Sequence, residues 1–136
     1  MTNISRQLSI SLKLPPKIVD WCHIHNFECT GECNYICSPH VKVALSINFE
    51  TPENFSILLE CFMELNISIR FYTLHDIKCC SILDDSYSDS GDPTIKAFCN
   101  VMLKFLKHDI DEDESFRDNE IRNKLTEKII NCKFIY

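Results

Sequence analysis

Apolar and polar residues alternate from Leu8 to Leu14, where Leu8, Ile10, Leu12 and Leu14 are separated by Ser9, Ser11 and Lys13. Period two predicts a half-buried strand. Pro15-Pro16 ends it and can open a helix, because proline is tolerated in a first turn. Ile18, Val19 and Cys22 then share one helical face, which predicts a short helix over 17–26. A second alternation runs through Val41, Val43, Leu45, Ile47 and Phe49 and predicts a strand. Thr51-Pro52 reads as an N-cap followed by N1. Phe55, Leu58, Leu59, Phe62 and Leu65 follow at spacings of three and four, the stripe of an amphipathic helix. Ile67, Ile69 and Phe71 alternate with polar or amphipathic neighbours and predict another strand. Strand, helix and strand with short joints suggest a right-handed βαβ crossover.

Cys79-Cys80 lies in a short apolar run ending at Leu83. The segment 84–92 is acidic and serine-rich without apolar period, and is expected to be a mobile loop. Beyond it, Ile95, Phe98, Cys99, Met102, Phe105 and Leu106 predict an inward-facing helix, with Asp92 as its cap. Ser115-Phe116-Arg117-Asp118 resembles a capping box and opens a last helix through Ile121, Leu125, Ile129 and Cys132. The expectation is an α+β fold: one small domain over 1–136, with about four helices and a short sheet. Read as helix fragments, the alternating pieces would instead give an all-α fold.

Composition adds one chemistry. The chain has 136 residues, so one core suffices. Four of its nine cysteines and three of its five histidines fall between Cys22 and His40. Thiolate and imidazole are the usual donors to tetrahedral Zn²⁺. The economical shell is Cys29, Cys33, Cys37 and His40; Cys22, His23 or His25 could replace a member. A closed Cys₃His shell is structural, because it leaves no position for an activated water. The paired CxxC knuckles of familiar zinc modules are missing, so density rather than motif carries this reading. The competing reading makes Cys22 and Cys29 plain core thiols.

The net charge of −6 argues against a uniformly basic nucleic-acid face. No apolar run reaches the about 18–20 residues of a membrane span, and no signal-type leader is visible. The expected setting is a reducing compartment, cytoplasm or nucleus, where cysteines serve as ligands or free thiols. No H-x-E with P-C-x-x-C pattern and no nucleophile signature is present, which argues against an enzyme. Asp109 to Glu114 lacks the glycine and periodicity of a calcium loop. Asp89-Ser-Gly-Asp-Pro-Thr94 resembles a D-S-G-x-x-S phosphodegron, departing from it at Asp92 and Thr94. Ser81, Ser86 and Ser90 are the candidate phosphorylation sites, the first two because Asp follows three residues on.

The small size, the Ile/Asn/Lys-rich and glycine-poor composition and the isolated Cys22–His40 cluster resemble the small cysteine-rich accessory proteins of plant RNA viruses. In type the chain is similar to the orphan 15-kilodalton protein of cileviruses. The resemblance implies a viral protein, acting in the host cytoplasm or nucleus, that antagonises host defence such as RNA silencing. The expected mode is zinc-stabilised and non-enzymatic, through a host or viral protein partner. The alternative is an RNA-binding protein that sequesters RNA. A homodimer is also expected, with Phe134-Ile135-Tyr136 contributing apolar surface.

Overall fold

A computed structural model describes residues 3–20, 42–107 and 116–136. Within them are α1 (Asn3–Ser11), β1 (Lys17–Asp20), β2 (Lys42–Leu45), α2 (Pro52–Glu64), β3 (Ile69–Leu74), β4 (Ile77–Ile82), β5 (Tyr87–Ser90), α3 (Thr94–Lys107) and α4 (Phe116–Ile130). The fold is small and mixed α+β, with two separate antiparallel sheets, β1-β2 and β3-β4-β5.

The first helix replaces an expected strand. Leu8 and Leu12 belong to both a period of two and a period of four. The position that separates the two is Ile10, which is 69% exposed while Leu8 and Leu12 are fully buried. Ile4 packs against the same core one turn earlier, completing a helical stripe. Over 17–20 the expected helix is a strand. The β-branched Ile18-Val19 pair suits extended backbone, and Lys17–Asp20 pairs antiparallel with Lys42–Leu45, Asp20 opposite Lys42. Residues 21–26 of that expected helix lie outside the described residues.

The helix expected from Thr51-Pro52 forms as read. The Thr51 Oγ1 accepts from the Asn54 backbone N–H at 3.3 Å, and Pro52 occupies the first turn. The βαβ crossover does not form, because β2 and β3 lie in different sheets. β3 instead pairs with β4 across a two-residue turn, Leu74 opposite Ile77. A local hairpin needs far less loop closure than a crossover. His75 and Asp76 both take positive φ, at 50° and 65°, as the mirror-image hairpin turns require.

The expected loop over 84–92 divides into a turn and strand β5, which pairs Tyr87–Ser90 with β4. Tyr87 is buried, and its ring meets Phe105 edge-on at 5.0 Å. Gly91 then passes so close to α3 that a Cβ there would lie 2.8 Å from the Ala97 backbone nitrogen. α3 itself buries Ala97, Phe98, Cys99, Val101, Met102, Leu103 and Phe105. The core centres on Phe98, whose ring meets Phe55 at 5.2 Å and Phe62 at 5.1 Å, both edge-on. Leu125 and Ile129 bring α4 onto the same core.

Candidate functional site

The three-stranded sheet has two unlike faces, set by the alternation of its strands. Ile82, Cys80 and Tyr87 turn inward and join the core. Arg70, Tyr72 and Leu74 turn outward, opposite Ser81, Cys79 and Ile77 of β4. Leu74 is 56% exposed and Ile77 is 54% exposed, so the hairpin tip presents an apolar pair to solvent. The Arg70 guanidinium stacks over the Tyr72 ring at 4.3 Å. Among the described residues β3 pairs only with β4, so it forms one edge of the sheet.

The base of this face is held by polar contacts. Ser81 is 1% exposed, and its hydroxyl donates to Asp85 Oδ1 at 2.5 Å. Arg70 Nε reaches the same oxygen at 3.1 Å. The Ser81 hydroxyl, then Arg70, hold the Asp85 carboxyl below the usual carboxylate range. The Asp84 N–H donates to Ser68 Oγ at 2.6 Å, tying the β4–β5 turn to the residue before β3. Leu83, Asp84 and Asp85 all take positive φ in that turn.

A second feature lies between α2 and α4. A cavity of about 550 Å³ is lined by Ile57, Leu65, Cys61, Cys132 and charged side chains of both helices. Lys128 and Glu64 form an ion pair across it. Burial, reinforced by the contact with Cys132, pushes the Cys61 thiol up to about 12.

The residues expected to bind zinc, Cys29, Cys33, Cys37 and His40 with Cys22, His23 and His25 as alternates, lie outside the described residues. Among the described residues no group of three His, Cys, Asp or Glu side chains converges to hold a metal. The described strands do fix both ends of the cluster-bearing segment side by side, since Asp20 pairs with Lys42. Of the phosphorylation candidates, Ser86 and Ser90 are exposed, whereas Ser81 is enclosed in β4 and bonded to Asp85. Gly91, read as part of a degron-like motif, has a packing reason to be glycine. Phe134 belongs to the core and meets Phe49 edge-on at 5.3 Å, leaving Ile135 and Tyr136 exposed at the chain end.

Two features escaped the sequence reading. The outward Leu74–Ile77 pair depends on a turn of unusual composition. The cavity unites residues from two helices far apart in the chain, for which spacing carries no signal. No helix among the described residues is long and apolar enough to cross a membrane. Comparison with protein families, with characterised proteins and with solved structures finds no match to this chain. The fold and site define a small α+β domain in which, among the described residues, β3 is an unpaired sheet edge.

Proposed function

We propose that this chain is a non-enzymatic, zinc-stabilised accessory protein of a virus, which antagonises host defence by accepting an extended segment of a partner protein along β3. The observation that carries this reading is the apolar pair Leu74 and Ile77 exposed beside an edge strand. An edge strand offers a row of N–H and C=O groups to an added strand, and side chains at alternate positions supply specificity. Proteins commonly blunt such edges with lysine or proline; β3 reads Ile-Arg-Phe-Tyr-Thr-Leu and has neither. Its single cation, Arg70, is already engaged by Asp85 and Tyr72. With a net charge of −6, that favours a protein partner over an RNA.

Zinc enters as a staple for the segment between β1 and β2. Its ends are brought together at Asp20 and Lys42, which lowers the entropy of gathering ligands from both ends of the loop. The viral setting rests on the resemblance in size, composition and Cys22–His40 clustering.

The test is a reporter-silencing assay in plant tissue, run beside thermal melting. Wild-type protein restores reporter expression. A double Leu74→Lys, Ile77→Lys variant loses that activity while its melting temperature stays within a few degrees of wild type. Full activity in a folded double variant overturns the docking surface. A gel shift with duplex RNA whose affinity falls steeply with salt moves the reading to RNA sequestration.

A further inference from the structure

Cys61, near the end of α2, and Cys132, just beyond α4, are 71 residues apart in sequence, yet their sulfurs lie 3.3 Å apart. The Cys132 thiol donates to the Lys128 carbonyl oxygen at 3.3 Å. With that proton so placed, the Cys132 sulfur is free to accept from the Cys61 thiol. Cys61 is 2% exposed, whereas Cys132 is only half-buried, and both line the cavity between the helices. The cavity opens onto both thiols, and Cys132 is the more exposed of the two. Among the described residues no other two thiols are in sulfur–sulfur contact. Cys79 and Cys80 are neighbours in one strand and face opposite sides of the sheet, and Cys99 points to the Phe49 carbonyl.

We propose that Cys61 and Cys132 are a redox-sensitive clip, which a peroxide converts to a disulfide fastening α2 to the chain beyond α4. The chemistry balances in two steps. The Cys132 sulfur attacks hydrogen peroxide, the O–O bond breaks, and a sulfenic acid and one water result. The Cys61 sulfur then attacks the sulfenic sulfur; the S–O bond breaks, and the departing hydroxide takes the Cys61 proton as a second water. Two thiols are oxidised by two electrons, and one peroxide is reduced to two waters. The sulfurs must close from 3.3 Å to about 2.05 Å.

The clip has a defined consequence. The segment that follows Cys132 is already anchored to α2, because the Ile135 backbone is bonded to Asn54. A disulfide adds a covalent anchor to the same helix and shortens the unfolded chain by a long loop. Thermal stability therefore rises on oxidation, by on the order of 10 °C.

The experiment takes the full chain, reduced, and treats it with one equivalent of hydrogen peroxide. Peptide mapping by mass spectrometry and thermal melting are read together, with and without subsequent dithiothreitol. The expected result is a linked Cys61–Cys132 peptide, a raised melting temperature, and reversal of both by reductant. In Cys132→Ser neither the link nor the rise appears. A missing linked peptide, a stable sulfinic acid at Cys132, a linked peptide without a rise, or an equal rise in Cys132→Ser each overturns the clip. Cys61→Ser is the second variant. Should it fail to fold because Cys61 is deep in the core, the half-buried Cys132 carries the comparison.

Discussion

The carboxamide of Asn54 is bonded on both sides to the backbone of Ile135. Its Nδ2 donates to the Ile135 carbonyl oxygen at 2.8 Å, and the Ile135 N–H donates to its Oδ1 at 2.8 Å. The same Nδ2 also donates to the Asn48 carbonyl oxygen at 2.9 Å. Asn54 is fully buried in the first turns of α2, so one side chain imitates a strand partner for the chain end. Nothing apolar can replace it without orphaning the backbone groups it serves.

Asn54→Ala is therefore expected to destabilise the fold by about 2–4 kcal/mol, the sum of three modest bonds and the unsatisfied groups left behind. Asn54→Asp keeps the acceptor but loses the donor, and leaves a carboxylate facing two carbonyl oxygens. It should cost at least as much at neutral pH. Urea unfolding of each variant measures both values.

Gly91→Ala carries a different penalty. A Cβ at this position would meet the Ala97 nitrogen at 2.8 Å and the Lys96 carbonyl carbon at 3.0 Å, both backbone atoms of α3. Backbone cannot swing aside as a side chain end can. The helix or the β5 end must shift, at an expected cost of about 1–3 kcal/mol. If chemical denaturation finds Gly91→Ala within about 0.5 kcal/mol of wild type, as for an ordinary surface change, then glycine is not there for packing.

How far the chain could be read in advance follows from where its signals were redundant. α2 was legible because a cap, a proline and a stripe all agreed: Thr51, Pro52, then Phe55, Leu58 and Phe62. α3 was legible from its stripe alone, since Phe98, Cys99, Met102 and Phe105 are all buried. α1 was misread because Leu8 and Leu12 fit two periods, and only the exposure of Ile10 separates them. The β3–β4 hairpin was hidden by its turn, where His75-Asp76 replaces the glycine-bearing pairs that usually take positive φ. β5 was hidden because only Tyr87 of Tyr-Ser-Asp-Ser reaches the core. The Cys61–Cys132 pair was illegible in principle, being a contact between segments 71 residues apart rather than a motif.

The buried thiols set an alkaline limit on stability. Burial pushes Cys80 and Cys99 from an ordinary value of 9.0 up to about 12, and Cys61 likewise. For a thiol the raised value means that the folded state holds its proton where the unfolded chain has released it. Their contribution is fully present below pH 9, declines as pH rises from 9, and is lost by about 12. Melting temperature should fall progressively across that window and stay flat with respect to these groups between pH 7 and 8. The same burial makes Cys80 and Cys99 slow to alkylate with iodoacetamide at pH 8, because the thiolate is the nucleophile. Rapid labelling of Cys80 or Cys99 in the folded protein would show that these side chains are not enclosed.

Zinc removal tests the remaining chemistry directly. A Cys29, Cys33, Cys37 and His40 shell binds metal only after its thiols lose their protons, and its binding energy is then folding energy. Metal analysis of purified protein is expected to find one zinc per chain. A strong chelator should lower the melting temperature sharply, and acidification should do the same as ligands reprotonate. The described strands add a local expectation. Because Asp20 and Lys42 are paired at the mouth of the segment, loss of metal should loosen β1 and β2 first. The amides of β3, β4 and β5, in a separate sheet, should keep their hydrogen-exchange protection. Cys33→Ser should reproduce the chelator effect and lower the zinc content. If apo and holo protein melt alike, the cluster is a set of ordinary thiols and imidazoles and the staple is absent.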